Sequence, residues 1–384
     1  MNSSSINVLL LTGCYLPGYK GGGPIKTISN LVNATSDVMQ YSIVTSDRDL
    51  GDKKPYSSVN IGQWNQRENS FVYYTGSGPR GLIQIAKIIL KKDYQIIYLN
   101  SFFSTRFSII PLFLAKIIGQ RIILAPRGEF SEGALSLKKF KKKVYMSIFK
   151  FFKLHYNIIF QVSSQFESND IKKALGVNTN TFIAENIGSQ KYTNSIVCKN
   201  SSELNIVFLS RISPMKNLNY ALKILSKVTS FATFDIYGPL EDQSYWKECQ
   251  NIISKIPKNI KVNYKGTLDP NLVVDTLSKY DLFFMPTQGE NYGHVIAEAL
   301  CAGLPILIAN TTPWTDLNQK GIGWDISLNE SEQFIDVIHN ISNMPAEEHY
   351  ELRKHVLSWA ENKFSQRDNI KQNIAMFRYA FENK

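Results

Sequence analysis

The chain has 384 residues, of which 43% are hydrophobic and 20% charged. That is the composition of a folded globular protein, not a disordered or collagen-like one, and the length points to two domains. The net charge of +11 is uneven: residues 1–190 carry 23 Lys and Arg against 11 Asp and Glu, whereas residues 191–384 carry 20 against 21. A basic half invites nucleic-acid binding, but no nucleic-acid module or aromatic-rich stacking sheet accompanies it, so no nucleic-acid partner is expected. Cys14, Cys198, Cys249 and Cys301 are scattered without a CxxC pair. This argues against a zinc site or a disulfide framework and fits a reducing compartment.

The opening MNSSSINVLLLTG lacks the basic head and long apolar core of a signal peptide and reads as a strand at 6–11. Further strands are predicted at 41–45, 71–74, 95–99, 121–125 and 158–162, with helical patterns at 24–34, 82–91 and 103–118. The apolar stretch 107–119 is interrupted by Pro111 and Lys116 and falls short of the ~20 residues a membrane span needs. The run Lys138-Lys139-Phe140-Lys141-Lys142-Lys143 leads into VYMSIFKFFKLHY, with Lys150 and Lys153. Lysines interleaved with bulky apolar residues predict a helix on an anionic inner-membrane surface across Lys138–Lys153; a core-packed helix with a solvated basic edge is the alternative. The polar segment 188–203 reads as a linker. Beyond it, strands are predicted at 205–210, 233–237, 261–264, 281–285 and 305–309, and helices at 217–228, 243–256, 271–279 and 294–302. The last segment, 346–384, is helical with one polar face.

This alternation predicts an α/β fold of two doubly wound, Rossmann-like domains, 1–188 and 189–363, with helices on both faces of parallel sheets. Ligands of such sheets bind at the carboxyl ends of the strands, so two facing domains place their site in the cleft between them.

Three stretches carry candidate chemistry. Gly21, Gly22 and Gly23 precede Pro24 at a helix start, where backbone can approach a ligand and the helix end favours an anion; a surface loop is the alternative. Arg211 leaves a buried strand, and Lys216 follows at the next helix start. Two cations there can clamp a diphosphate, or they are solvated charges. The strand at 282–286 feeds Thr287-Gln288-Gly289-Glu290-Asn291-Tyr292-Gly293 and a helix bearing Glu298. The amides of Asn291, Tyr292 and Gly293 suit an anion or sugar hydroxyls. Glu290 and Glu298 can each accept from a vicinal diol. Alternatively, Glu290 complements the helix dipole and Glu298 pairs with Lys216 or another base. Asp47-Arg48-Asp49 is a D-x-D in a polar loop and reads as a turn or an acceptor-side loop, not a metal site.

Glu290 to Glu298 resembles the E-x7-E motif of the family-4 retaining glycosyltransferases of the GT-B fold. The resemblance extends to Gly21–Pro24, Ala125-Pro126-Arg127-Gly128, Ser164-Gln165-Phe166-Glu167, FLSRISPMKN, IYGPLED at 236–242 and Tyr264-Lys265-Gly266. The Pro-Arg-Gly turn followed by EGALSLKKFKKK is similar to members that build bacterial surface polysaccharides such as O-antigen or capsule. The resemblance implies that Glu290 contacts a donor-sugar hydroxyl, Glu298 holds the ribose diol, and Arg211 and Lys216 bind the leaving diphosphate. It places the amides of Asn291–Gly293 on the donor sugar, Gly22 and Gly23 near the phosphate, and Gly238 with Gly266, Thr267 and Leu268 beside the base. It further implies a nucleotide-sugar donor (UDP before GDP), a lipid-linked or oligosaccharide acceptor, no cofactor and no metal, a cytoplasmic protein peripheral to the inner membrane face, and a C-terminal helix at about 364–384 packed back on the first domain. Many relatives carry a His, which touches the donor sugar, where this chain has Arg127; Arg127 stays protonated and cannot act as a base, and the resemblance implies for it a contact to sugar or phosphate. A sugar-nucleotide epimerase on the same fold and a non-catalytic carbohydrate- or nucleic-acid-binding protein are the competing readings.

Overall fold

The structure, a computed structural model, describes residues 5–91, 93–136, 139–176, 178–188, 191–197, 199, 203–365 and 367–383. The elements in chain order are β1 (Ile6–Leu11), α1 (Gly23–Thr35), β2 (Met39–Ser46), β3 (Trp64–Arg67), β4 (Ser70–Thr75), α2 (Gly78–Leu90), β5 (Ile96–Leu99), α3 (Ile110–Ile117), β6 (Arg121–Leu124), α4 (Glu132–Ser136), α5 (Lys139–Phe151), β7 (Ile158–Val162), α6 (Gln165–Leu175) and β8 (Thr181–Ile183). They continue with β9 (Leu204–Leu209), α7 (Leu218–Leu225), β10 (Ala232–Tyr237), α8 (Gln243–Ile253), β11 (Ile260–Gly266), α9 (Val273–Leu277), β12 (Leu282–Met285), α10 (His294–Cys301), β13 (Ile306–Ala309), β14 (Gly323–Ile326), α11 (Ser331–Asn343), α12 (Ala346–Ser365) and α13 (Asp368–Glu382). The chain divides into two compact units, Met1–Ile187 with Arg367–Lys384, and Gly188–Gln366.

In unit 1 the strand order is β3-β4-β2-β1-β5-β6-β7-β8. Every pairing is parallel except β3 with β4, at the edge. Both faces of the sheet are covered, which is why its central strands are predominantly apolar. Val8 and Leu10 of β1 face a core completed by α1 and by Met376, Phe377 and Ala380 of α13. Leu9 and Leu11, on the opposite face by the period of two, join α2, α3, α5 and α6. Phe377 packs edge-on against Tyr41 and Tyr98, with ring centroids 6.1 and 5.3 Å apart, and so anchors the chain's last helix on the first sheet.

In unit 2 the order is β11-β10-β9-β12-β13-β14, all parallel. Numbered from β9, this is the 3-2-1-4-5-6 order of the doubly wound sheet, whose connections reverse direction between the first and fourth strands. In unit 2 that switch point lies between β9 and β12, and in unit 1 the same reversal lies between β1 and β5.

Several expectations need correction. The helix expected over 103–118 begins as a π-turn, Thr105–Ile109, capped by Ser104, whose side chain accepts from the Phe107 amide at 3.3 Å. Pro111, which has no N–H to offer, sits in the first turn of α3. The segment 346–384 is helical as expected, in two pieces, α12 and α13. The expected linker is fixed to unit 2 where it is described: Thr193 N–H donates to Cys301 O at 3.0 Å, and the buried Lys199 donates to Ile341 O at 2.9 Å. Residues 189–190, 198 and 200–202 of that segment, Cys198 among them, lie outside the described residues. Cys14, Cys249 and Cys301 are free thiols. Among the described residues no helix is long and apolar enough to cross a membrane.

Candidate active site

At the unit 2 switch point, two loops are stapled together. After β9, Asn217 adopts a left-handed conformation (φ 59°) and its side-chain amide donates to Pro286 O at 2.9 Å. After β12, the Thr287 hydroxyl and the Gln288 amide both donate to Met215 O, at 3.0 and 2.9 Å. These bonds fix the short 3-10 turn Pro214–Lys216 against the loop that follows β12. Lys216 consequently donates its ammonium to the Glu290 carboxylate, with the two side chains only 12% and 13% exposed. Arg211 turns elsewhere: its Nη1 donates to Glu241 Oε1 at 2.6 Å, on the loop after β10. The structure thus brings together two of the three candidate catalytic residues, Lys216 and Glu290, and gives Arg211 a different carboxylate. The Lys216 ammonium is thus taken by the carboxylate of the loop after β12.

Gly293 opens α10 with φ 77°, and a Cβ there would meet the Ile296 side chain at 2.8 Å. Tyr292 O accepts from Trp314 Nε1 at 2.5 Å, and the Tyr292 ring packs against those of His294 and Trp314. Asn291 and Tyr292 are half-buried. Glu298 lies in α10 and is buried. Burial, and after it the carboxylates of Glu298 and Glu361, push the neighbouring Cys301 thiol up to about 12.

Gly238 is required by contact. With φ 137°, a Cβ would stand 1.8 Å from Ser210 O, so only glycine lets the β10 loop lie against the end of β9. Its amide donates to Gly266 O at 2.8 Å, and Tyr264 donates its hydroxyl to Gly238 O at 2.8 Å. Thr267, exposed, and Leu268, half-buried, continue from there.

In unit 1, Gly22 (φ 62°) caps α1 and Gly23 is its first residue. The loop that carries them is clasped by Asp49, whose Oδ2 accepts from the amides of Tyr19 and Lys20 at 2.8 and 3.1 Å. Asp47 takes Arg48 Nε at 2.8 Å. The D-x-D oxygens thus hold protein groups, and among the described residues no cluster of three or more His, Cys, Asp or Glu is arranged to hold a metal ion. Arg127, beyond β6, donates to Asn100 Oδ1 through Nε at 3.2 Å and Nη2 at 2.8 Å, to the Tyr98 hydroxyl at 2.6 Å and to Asn186 Oδ1 at 2.7 Å. Burial raises the Tyr98 hydroxyl pKa, against the pull of Arg127. The turn is anchored from behind by the buried Glu167, which accepts from the Gly128 amide at 2.7 Å and from Ser163 N and Oγ at 2.8 and 2.9 Å. Asn100 and Asn186 are the members that sequence reasoning missed. The available signal was position: Asn100 directly follows β5 at the unit 1 switch point.

Residues 195–362 match the family described as glycosyl transferases group 1. The chain is 24% identical, over 79% of its own length and 85% of the relative's, to an uncharacterized 41.2 kDa protein in the cps region of Klebsiella pneumoniae. Among solved structures it resembles Anabaena Alr3699/HepE in complex with UDP-glucose, with a TM-score of 0.71 and 16% identity over 97% of this chain and 99% of that one. It also resembles the sucrose-phosphate synthase of Thermosynechococcus elongatus, with a TM-score of 0.76 and 12% identity over 99% and 100%.

Proposed function

With residues 195–362 a glycosyl transferases group 1 domain and the chain folded as a GT-B α/β protein, we propose that it transfers a hexose or N-acetylhexosamine from a nucleoside-diphosphate sugar to a hydroxyl of a growing bacterial surface glycan, with retention at the anomeric carbon. The observation that carries this reading is the stapled pair of loops at the unit 2 switch point, which sets Lys216 and Glu290 beside the start of α10. In this reading the C1–O bond to the diphosphate breaks while the acceptor oxygen approaches the same face. The acceptor proton passes to a departing phosphate oxygen. Lys216 and Arg211 exchange their carboxylate partners for the diphosphate and stabilise its growing charge, the kind of electrostatic effect that is usually the largest in catalysis. Glu290 and the Asn291–Gly293 amides hold the donor sugar, and Glu298 holds the ribose diol. The UDP-glucose complex of HepE favours UDP as the nucleotide, and the cps-region relative favours a surface polysaccharide as the product.

Product analysis tests this against the epimerase alternative. Donor and acceptor together give free nucleoside diphosphate and an elongated acceptor with the donor's anomeric configuration. Conversion of the donor to an epimer without acceptor would identify the other activity. Because protein cations take the place of a metal here, turnover should persist in excess EDTA. Loss of activity that Mn²⁺ or Mg²⁺ restores would instead turn attention to Asp47 and Asp49.

A lipid-linked acceptor requires the enzyme at a membrane surface, and α5 supplies a candidate contact. Phe140 (80% exposed), Val144, Ile148 and Phe151 (79%) form one outward stripe at helical spacing. Lys139, Lys141, Lys143, Lys150 and Lys153 are exposed around it, and the helix contains no acid. Two expectations change. Lys142 is held by Ala134 O at 2.7 Å and lies over the Phe103 ring, and Tyr145, Met146 and Phe149 face the core, since they sit on the opposite side of the helix. Lys138 lies outside the described residues. Each exposed lysine contributes about 1 kcal/mol near an anionic leaflet before screening. Glutamate at Lys139, Lys141, Lys143 and Lys150 should release the protein from anionic vesicles in a co-sedimentation assay, with turnover on a soluble acceptor unchanged. Equal sedimentation of the variant and the wild type, or of neither, would leave α5 as a solvated helix edge.

A further inference from the structure

We propose that Arg127 is an anion receptor, taking a phosphate or carboxylate group of the substrate at the carboxyl edge of the unit 1 sheet. The inference rests on the glycosyl-transfer reading and specifies a charge that the substrate must bring.

The first observation is the company Arg127 keeps. All four of its hydrogen bonds end on neutral oxygens, those of Asn100, Tyr98 and Asn186. A guanidinium has five N–H donors, so one Nη1 proton remains, and among the described residues it meets no acceptor. Two nearby carboxylates, those of Glu167 and Glu129, accept hydrogen bonds from other groups. Glu167 holds Gly128 and Ser163, and Glu129 accepts from Ser101 Oγ and the amides of Phe102 and Phe103. The result is a half-exposed cation, oriented but not paired with a carboxylate.

The second observation is the cost of holding it there. Arg127 has φ 57°, a left-handed conformation that a long side chain seldom adopts, and Gly128 follows at φ 78°. Its cage is itself supported. Tyr98 donates its hydroxyl to Gln161, and Gln161 Nε2 donates to Asn373 Oδ1 at 3.1 Å on α13. The third observation is place: Asn100 and the glycine loop leave the two strands that flank the switch point, where ligands of such sheets bind. A sugar hydroxyl could be read by the asparagines alone. A fixed guanidinium with one N–H still to give, and no carboxylate among its hydrogen-bond partners, fits an oxyanion.

The test is binding, so it stands apart from any failure to find transfer. The full chain carrying Arg211→Ala and Lys216→Ala, which removes the unit 2 cations, is titrated with inorganic phosphate and, separately, with glucuronate. Adding Arg127→Gln should weaken at least one anion by about tenfold or more, the scale of a lost charge-assisted contact. Arg127→Lys, which keeps the charge, should retain most of the binding. Loss confined to phosphate points to a phosphorylated group, and loss confined to glucuronate to a carboxylate sugar. Asn186→Asp provides an internal anion on the existing contact and should abolish binding with the cage intact, which decides the matter should Arg127→Gln not fold. Undiminished binding of both anions in Arg127→Gln, or in Asn186→Asp where that variant alone folds, would overturn the proposal.

Discussion

Replacing Lys216 by alanine lowers kcat/KM by about a hundredfold, the scale of one lost transition-state charge contact. The loss appears mainly in kcat, because the ammonium is needed most when the departing diphosphate carries its full charge. Arg211→Ala has the same direction. Its guanidinium is about one-third exposed and already paired with Glu241, so diphosphate binding must displace a screened surface pair, and part of its loss appears in KM. Steady-state kinetics on the two variants separate these behaviours. Near-wild-type turnover by both would remove them from the leaving-group role.

Arg353→Met lowers the melting temperature of unit 2 by about 6–12 °C, with little change in turnover per folded molecule. Arg353 is fully buried in α12. It donates to Gly303 O at 3.0 Å, Val197 O at 2.9 Å, Ser278 O at 2.7 Å and Ala302 O at 3.3 Å. Ser278 and Ala302 cap the ends of α9 and α10, where carbonyls lack helical partners and a cation is favoured. Each buried acceptor left without a donor costs about 1–3 kcal/mol, so a total near 3 kcal/mol is a conservative expectation after partial rescue by water. For a unit of this size, each kcal/mol shifts melting by about 2–4 °C. Differential scanning calorimetry reads the shift directly, and an unmoved transition would show that the side chain fills space without holding the helix ends.

The sheets were legible because their central strands are continuous apolar runs ending in glycine, asparagine or charged residues. The edges were not. Trp64–Arg67 and Gly323–Ile326 each carry too few apolar residues to register as alternation, and they are strands because a neighbour offers them hydrogen bonds. Helix α6 was missed although Ser164 and Glu167 announce its start; the Ser164 hydroxyl accepts from the Glu167 amide at 3.2 Å. For the site, the loop 287–293 and the cations at 211 and 216 were visible as sequence. Their partners were not, because Lys216–Glu290 and Arg211–Glu241 are made by loops 74 and 30 residues apart along the chain. In the basic helix, composition revealed the charge but not which lysine and which aromatics turn inward, since that depends on the core beneath.

The most direct test of the central claim is a thermal-shift titration of the full chain with UDP, GDP and ADP. The glycosyl-transfer account predicts stabilisation by a nucleoside diphosphate, UDP foremost, reaching about 2.7 kcal/mol at a hundred times Kd. It also predicts loss of that stabilisation in Glu298→Gln. Absence of stabilisation by every nucleoside diphosphate, or stabilisation by UDP that is unchanged in Glu298→Gln, would contradict it.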